Sequence, residues 1–259
     1  MASALPTLTD IVPRLEDGDS TVRDSAVEAL GKLEPGVLAK YADDIVPRLN
    51  DEDWMVRESA VEALCNLEPG VFAKYVDRIV PRFIDEDCWV RFYAVQALSK
   101  LQPGVIAKYA DHIVPRLDDD VCRVRKSAVE ALCRLEPGVL AKYADHIVPR
   151  LEDVKWQGRI YAVQALSKLD PGVLAKYADD IVPRLEDKDR CVRRSAVEAF
   201  GKLEPGVLAR YVGELENVPL VALRASPICL AILGIRESTT QGVSAEEEGE
   251  REVKRVRVV

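Results

Sequence analysis

Two columns of charged residues repeat through this chain and are its most regular candidates for chemistry. An aspartate and an arginine six residues later recur every 34 residues, six times, without variation. The aspartates are Asp17, Asp51, Asp85, Asp119, Asp153 and Asp187, and the arginines are Arg23, Arg57, Arg91, Arg125, Arg159 and Arg193. A row of guanidinium groups could bind carboxylates or phosphates in a two-point geometry. Because each arginine comes with its own aspartate, we expect both columns to serve the structure rather than a ligand.

Other residues that could catalyse a reaction are few. The two histidines, His112 and His146, both precede isoleucine and occupy a position that is Asp44, Arg78 or Asp180 in other copies. The six cysteines have no CxxC or CxxH spacing, which argues against a zinc or redox site. The carboxylates recur in every copy, so no acid–base pair is singled out. We therefore expect no catalytic residues, no metal and no cofactor, in a protein that is not an enzyme.

Aromatic residues distinguish two of the copies from the others. In the third copy, Trp89, Phe92 and Tyr93 are spaced i, i+3 and i+4, which predicts an aromatic ridge on one helix face. In the fifth copy, the residues taken to form a similar ridge are Trp156, Ile160 and Tyr161. Exposed aromatic side chains are enriched at binding hot spots. Packing between helices also accounts for the two tyrosines, whereas we expect Trp89 and Phe92 to contact a partner.

Each copy contains two helices that must position these residues. Residues 19–33 place apolar side chains at steps of three and four, which predicts an amphipathic helix capped by Asp19 or Ser20. Pro35 ends that helix and can begin the next one, which we expect over residues 36–50. Pro47 lies inside this second segment and should kink it or split it. No segment alternates in the manner of a strand.

The repeated pattern is I-V-P-R-[LF]-x-D-x-x-x-x-V-R-x-x-A-V-x-A-[LF], and it resembles the HEAT repeat family over about residues 8–215. The resemblance lies in the proline of one helix, the aspartate of the turn and the Val-Arg that opens the next helix. It implies an all-α fold, a right-handed α-solenoid of stacked antiparallel helix pairs. It also implies that the aspartates and arginines form a ladder between neighbouring units. The short repeat leaves open a relation to the HEAT-like repeats of phycobilisome lyases.

The outward position after Val-Arg changes from copy to copy, so packing does not dictate it. It passes from acidic through apolar to basic along the array: Asp24, Glu58, Phe92, Lys126, Ile160 and Arg194. By resemblance to HEAT arrays, this stripe would line the concave groove. We expect a non-catalytic scaffold, a monomer, that binds a protein or peptide there. The alternative is a protein similar to the bilin or cofactor lyases of the HEAT-like group.

The repeats define the domain organisation. We expect a HEAT-like array over residues 1–217 with partial units at both ends, an apolar C-terminal cap over 218–235 and a charged, disordered tail over 236–259. The cap is interrupted by Pro219, Arg224 and Pro227, which argues against a membrane span. Gly158 replaces a valine found in the five other copies, so we expect valine at this position to stabilise the array.

Charge and sorting signals bound the partner and the compartment. The net charge is −8, from 36 basic and 44 acidic residues, which argues against nucleic acid as a partner. No basic start followed by an apolar run is visible at the N-terminus, and the cysteines are expected to be free thiols. We therefore expect an intracellular protein, in the cytoplasm, with the nucleus left open.

Overall fold

The structure, a computed structural model, describes residues 8–234, and every regular element in this range is helical. Within this range, five full repeats are preceded by most of unit one and followed by part of a seventh unit, and each full unit consists of a first helix, a turn and a second helix. The second helices of units one to six are Ser20–Gly31, Trp54–Cys65, Cys88–Leu98, Cys122–Leu132, Trp156–Leu166 and Arg190–Phe200. The prediction of an all-α solenoid is confirmed.

The first helices are broken into short pieces, and the proline accounts for one break. Pro47 lacks an N–H, and the helix tightens there into the 3-10 helix Val46–Asn50. A second break, at residues 39–41, was not predicted; Tyr41 leaves the helical region with φ −110° and ψ 2°. The α-helical pieces are Leu8–Ile11, Pro35–Leu38, Ala42–Ile45, Pro69–Phe72, Val76–Ile79, Pro103–Ile113, Pro137–Leu140, Ala144–Ile147, Pro171–Leu174, Ala178–Ile181, Pro205–Leu208 and Val212–Glu216. The 3-10 pieces are Val12–Glu16, Val46–Asn50, Val80–Ile84, Val114–Asp118, Ala141–Tyr143, Val148–Glu152, Ala175–Tyr177, Val182–Glu186 and Ala209–Tyr211.

Aspartate caps fix where most of the second helices begin. Asp19 is the N-cap residue of the first one, and its Oδ1 accepts the N–H of Thr21 at 2.9 Å. Asp53 caps the second helix of unit two in the same way. Units four and five have Val121 and Lys155 at this position, and neither side chain makes a capping bond. The second helices of units four and five therefore begin without the side-chain cap that the other units have.

One apolar core runs through the stack and holds the turns in register. In unit two, Val56, Ala60 and Leu64 lie on one face of the second helix and are fully buried. The same positions are buried in unit three, at Val90, Ala94 and Leu98, so the helix packs between its neighbours and buries apolar area that a single unit could not cover. The turn between the two helices of each unit is thereby held at one edge of the stack.

The chain after residue 217 covers the last second helix. Helices Leu220–Leu223 and Pro227–Ile232 follow a turn, and the Sγ of Cys229 lies 3.7 Å from the carbonyl oxygen of Val197. The tail predicted over residues 236–259 lies outside the described residues. No helix within residues 8–234 is long and apolar enough to cross a membrane.

Candidate functional site

The arginine and aspartate columns form ion pairs that join each unit to the next. Arg57 shows the pattern: its Nε donates to Asp85 Oδ2 at 3.0 Å and its Nη2 to Asp85 Oδ1 at 2.8 Å. Its Nη1 turns back to the carbonyl oxygens of Asp51 and Glu52, at 2.9 and 3.1 Å. The pairs of this ladder are Arg23–Asp51, Arg57–Asp85, Arg91–Asp119, Arg125–Asp153 and Arg159–Asp187. Each guanidinium thus fixes its own turn and the aspartate of the next unit.

Hydrogen bonding outweighs the effect of burial on the pKa of four of the ladder aspartates. The Asp51 side chain is only 3% exposed. Burial alone would raise the pKa of Asp51, but hydrogen bonds from Arg23 and from the Asp53 N–H outweigh it, and the pKa lies below its ordinary value. The pKa values of three further ladder aspartates are lowered for the same reasons: Asp119, Asp153 and Asp187. The five paired arginines already bind an aspartate through Nε and Nη2, so these two groups are not available to an anion from outside the protein.

The two ends of the columns do not join the ladder. Asp17 is exposed and accepts the N–H of Asp19, with no arginine facing it among the described residues. Arg193 donates its Nη1 to the carbonyl oxygens of Asp187 and Lys188, but its Nε is buried and has no hydrogen-bond partner among the described residues. The expectation of a ladder role is therefore wrong for these two terminal members, because Asp17 faces no arginine within residues 8–234 and the position that would supply an aspartate to Arg193 is Val221.

Tyrosines form a second ladder that the sequence analysis missed. The hydroxyl of Tyr109, for example, donates to Asp77 Oδ1 at 2.8 Å, across 32 residues. The same bond recurs in Tyr75–Asp43, Tyr143–Asp111, Tyr177–Asp145 and Tyr211–Asp179. The sequence contained a signal for this second ladder. The aspartates that accept these bonds recur every 34 residues up to Asp179, and the next position in that series is Gly213. The tyrosine that would pair with position 213 would stand at position 245, which is alanine. These tyrosines, interpreted only as packing residues, also bond between units.

The residues that follow Val-Arg in the six units, from Asp24 to Arg194, lie on successive second helices. Most of their side chains are half-buried rather than exposed to solvent. Two of them contact the helix that follows through polar groups. The Ser59 Oγ donates to Asp24 Oδ1 at 2.6 Å, and the Lys126 Nζ lies 5.2 Å from the ring centre of Tyr161. Phe92 and Ile160 are half-buried as well, and Phe92 packs against the core. The expectation that Phe92 and Ile160 point outward is corrected, because packing within the stack covers part of each side chain.

The aromatic residues of unit three form one cluster with an exposed outer edge. The rings of Phe92 and Tyr93 meet edge to face with centres 4.9 Å apart, and Trp89 lies 6.1 and 6.3 Å from them. The Arg123 guanidinium of the next unit stacks on Trp89 at 4.3 Å from the ring centre, a cation–π contact. Trp89 itself is 37% exposed. The cluster therefore presents one rigid indole on a packed base.

The fifth unit does not reproduce this cluster. Trp156 is the first residue of its helix, whereas Trp89 is the second residue of its own, so the two indoles occupy different positions. Trp156 instead corresponds to Trp54, which sequence reasoning overlooked, and both are about as exposed as Trp89. Met55, which occupies the position of Trp89 in unit two, is also exposed. All three tryptophans thus lie at the starts of second helices, near the turn edge of the stack.

Glu62 differs from the glutamates at the same position in units four and six, because it has no cation on its own helix, although the charge of Lys32 in unit one reaches it. Glu130 pairs with Lys126 at 3.6 Å, and Glu198 pairs with Arg194 at 3.1 Å. Glu62 has Glu58 four residues before it and Asn66 four residues after it, so it has no such partner on its own helix. Burial raises the pKa of Glu58, and the negative charges of Asp87, Glu62 and Asp24 raise it further.

Tyr93 connects this acidic patch to the aromatic cluster. Burial raises the pKa of the Tyr93 hydroxyl, the charges of Glu58 and Glu62 raise it further, and the charge of Arg123 lowers it. An apolar wall and carboxylates without a cation on their own helix therefore lie side by side on units two and three. We call this surface, formed by Asp24, Glu58, Glu62, Trp89, Phe92 and Tyr93, the acidic–aromatic surface.

Gly158 contradicts the expectation that a valine would fill an empty space. A Cβ at this position would lie 2.5 Å from Asp153 Cγ and 2.6 Å from Asp153 Cβ. Asp153 accepts from Arg125 Nε at 2.6 Å and from the Lys155 N–H at 2.9 Å, so it is not free to move away. The ladder aspartate has taken the space of the missing side chain.

A hollow lies at the opposite edge of the stack, beside the ends of the second helices. It has a volume of about 470 Å³, is open to solvent and lies between units four and six. Its lysines are occupied: Lys168 donates to the Cys133 carbonyl at 2.6 Å and Lys202 to the Ser167 carbonyl at 2.7 Å. No group of three side chains suited to a metal is found in the described part of the chain.

Comparison with known proteins supports the repeat assignment. The sequence profile of HEAT repeats matches residues 42–133, which confirms the resemblance indicated by the motif. No protein of curated function matches the chain.

Solved structures show the same kind of fold at low identity. A designed armadillo repeat protein, solved in complex with the peptide (KR)4, is 18% identical, with a TM-score of 0.63 over 77% of this chain and 100% of that one. An engineered protein is also 18% identical, with a TM-score of 0.60 over 74% of this chain and 94% of that one. The complex of CpcE and CpcF of phycocyanin lyase from Nostoc sp. PCC7120 is 19% identical, with a TM-score of 0.48 over 90% and 95%. The likeness to the first two concerns the helical repeat fold alone.

Proposed function

We propose that this chain is a non-catalytic repeat scaffold that binds a protein or peptide segment across its second helices. The segment carries a lysine or arginine that meets Glu58 and Glu62, with an apolar side chain beside it that packs on Trp89. Its basic end lies toward Asp24, and its acidic end lies toward Arg194. Trp156 and Ile160 provide a second apolar contact about two units further on.

The observation that carries this proposal is the acidic–aromatic surface. Glu58 and Glu62 are four residues apart on one helix, where like charges destabilise by roughly 0.2–0.5 kcal/mol. The glutamates at the position of Glu62 in units one, four and six pair with a cation on their own helix, so folding does not require this repulsion. A cation from a partner would relieve it.

The adjoining aromatic cluster supplies the apolar part of the contact. Trp89 is held on Phe92 and Tyr93, so little side-chain freedom is lost when a partner covers it. A rigid aromatic anchor next to complementary charge is the usual composition of a hot spot and its steering charges. Cation–π contact with Trp89, already made by Arg123, would suit a partner's arginine equally well.

A selection from displayed random peptides tests the proposal and does not depend on the identity of the natural partner. Twelve-residue peptides are selected on the full chain, and those enriched are measured by fluorescence anisotropy alongside the peptide (KR)4, with which the designed armadillo repeat protein was solved. We expect enrichment of lysine or arginine next to an apolar residue, with binding that weakens as salt screens the charges.

Matched variants locate the site. The triple change Trp89→Arg, Phe92→Lys and Tyr93→Ser gives unit three the residues that unit four already has at these positions. It should weaken binding at least tenfold, roughly 1.4 kcal/mol. Glu58→Gln with Glu62→Gln should weaken it similarly.

Two carboxylates at the opposite edge of the stack provide the control for charge. Glu68→Gln with Glu136→Gln changes the net charge equally and should leave binding unchanged. Peptides without basic residues, or equal losses in both glutamate pairs, would refute the proposal.

A further inference from the structure

A lysine of unit four is bound by a glutamate of its own helix and by a tyrosine of unit five. The Lys126 Nζ lies 3.6 Å from Glu130 Oε1 and 5.2 Å from the ring centre of Tyr161, a cation–π contact. Burial lowers the pKa of Lys126, but the interactions with Tyr161 and Glu130 outweigh it, and the pKa is raised. The glutamate and the tyrosine therefore form a binding place for an ammonium group, which the chain itself fills.

Units two and three repeat this arrangement with one exchange. Two units before Glu130, the glutamate is retained as Glu62, and the tyrosine of the following unit is retained as Tyr93. The lysine is replaced by Glu58. Glu58 is half-buried and Glu62 is exposed, so a group from outside the chain can reach both carboxylates. The same framework therefore carries two carboxylates beside its tyrosine and no ammonium group on their helix.

The two cations whose charges act on this place have contacts of their own. Lys32 Nζ of unit one lies 2.8 Å from a glutamate on its own helix, although its charge also reaches Glu62. Arg123 stacks on Trp89, with its guanidinium carbon 4.3 Å from the ring centre. In the described part of the chain, no side chain forms an ion pair or a hydrogen bond with either glutamate of unit two. An ammonium group from a partner would supply the component that Lys126 supplies in unit four.

We propose that Glu58, Glu62 and Tyr93 form a subsite for the ammonium group of an unmodified lysine in the bound segment. This deepens the proposed function, on which the use of the subsite by a partner rests, and it assigns lysine rather than arginine to the two glutamates. The ammonium group lies over the Tyr93 ring, as that of Lys126 lies over Tyr161, and it binds both carboxylates.

The arrangement of the acceptors favours an ammonium group over a guanidinium. The two carboxylates belong to one helix and the Tyr93 hydroxyl to the next, so the acceptors approach from different sides. An ammonium group is compact and donates three hydrogen bonds in different directions, whereas a guanidinium is a flat fork that matches a single carboxylate. The neighbouring Trp89 offers the flat face that suits a guanidinium, and Arg123 already lies on it. Acetylation removes the charge of a lysine, so acetylated lysine should not bind.

A titration with single amino acid derivatives tests the subsite without a peptide. The full chain is labelled with ¹³C-tyrosine, and the ring signals of Tyr93 and Tyr161 are identified by their loss in Tyr93→Phe and Tyr161→Phe. Nα-acetyl-lysine methylamide is raised to about 0.1 M, enough to fill most of a site with a Kd of about 10 mM, at an ionic strength held constant with potassium chloride. The Tyr93 signal should shift and saturate, whereas that of Tyr161, where Lys126 already lies, should not move. No shift at Tyr93, or the same shift at both tyrosines, would overturn the proposal.

Two related compounds test the preference for unmodified lysine. Nα-acetyl-arginine methylamide should bind at least about threefold more weakly, because its flat fork cannot meet acceptors on different sides. The same lysine derivative acetylated on Nε should give no shift. An arginine derivative that binds as tightly as the lysine derivative, or an acetylated derivative that still shifts Tyr93, would refute the assignment to lysine.

Exchanging one residue between the two places provides matched variants. Glu58→Lys gives unit two the lysine of unit four and should abolish the Tyr93 response, and Lys126→Glu gives unit four the glutamate of unit two and should create a response at Tyr161. Each change introduces a residue that another unit already folds with at that position, and circular dichroism checks that the helices persist. A Tyr93 response that survives Glu58→Lys, or no Tyr161 response in Lys126→Glu, would refute unit four as the template. Because the titration needs no peptide, its failure leaves the peptide selection to decide the proposed function.

Discussion

Replacing a ladder arginine by glutamine should cost far more in the middle of the array than at its end. Arg57→Gln removes the partner of Asp85, whose side chain is 3% exposed, and leaves a buried carboxylate unpaired. Breaking a buried ion pair from one side costs about 3–5 kcal/mol. Arg193→Gln strands no carboxylate and loses only the two bonds from Nη1 to carbonyl oxygens. One hydrogen bond from a charged group contributes roughly 1.5–3 kcal/mol to stability. We take only one of the two Nη1 bonds to be fully effective, so Arg193→Gln should cost about this amount.

The difference between the two variants isolates the contribution of the carboxylate. We expect Arg57→Gln to be about 2 kcal/mol less stable than Arg193→Gln, which corresponds to a melting temperature roughly 4–8 °C lower for a chain of this size. Circular dichroism at 222 nm measures the melting, and amide exchange shows whether the turn of unit three, after residue 84, opens first. Equal destabilisation by the two changes would refute the reasoning, because it would mean that the Arg–Asp pair adds nothing beyond the bonds to the turn carbonyls.

Three further predictions concern the same framework. Since the folded pKa values of Asp51, Asp119, Asp153 and Asp187 are lowered from 3.8, the stabilisation from these groups is present above about pH 4 and is lost as pH falls through the folded values; melting temperatures should be level from pH 7 to about 5 and drop below about 4. Gly158→Ala should lower the melting temperature because its Cβ meets Asp153, whereas Gly172→Ala, which meets nothing within 4 Å, should not. Burial raises the pKa of Cys65 to about 12, so iodoacetamide at pH 8 should modify the exposed Cys122 first, and equal rates would contradict this assignment.

The fold could be predicted because the same pattern of apolar, proline and charged residues recurs in six copies of the repeat. An amphipathic second helix, a proline in the first helix and a fixed period leave few architectures other than a stack of helix pairs. The pairing of the columns followed from charge and from the resemblance to HEAT repeats. Which aspartate each arginine pairs with is decided by the stacking of the units. The Arg57 guanidinium binds the carboxylate of Asp85, 28 residues later in the next unit. From the aspartate six residues earlier, Asp51, it binds only the backbone carbonyl oxygen.

Features that depend on a neighbouring unit could not be predicted from one unit alone. The half-burial of Phe92 depends on the packing of the stack around it, and the position of Asp153 depends on the absence of a side chain at Gly158. The tyrosine ladder was missed for a related reason: Tyr109 and Asp77 belong to different units, and within one unit each has an ordinary structural explanation. In a solenoid, much of the specific chemistry lies between copies rather than within them.

Departures from the repeat carry the functional argument because the intact units show what packing alone requires. Units fold with an acidic, apolar or basic residue at the variable position, so two glutamates without a cation on their own helix, Glu58 and Glu62, are not a condition of folding. The variable positions are acidic toward one end of the row of second helices, at Asp24 and Glu58, and basic toward the other end, at Arg194. A single segment with a basic and an acidic end would match both ends of this row, and a segment of uniform charge would match only one.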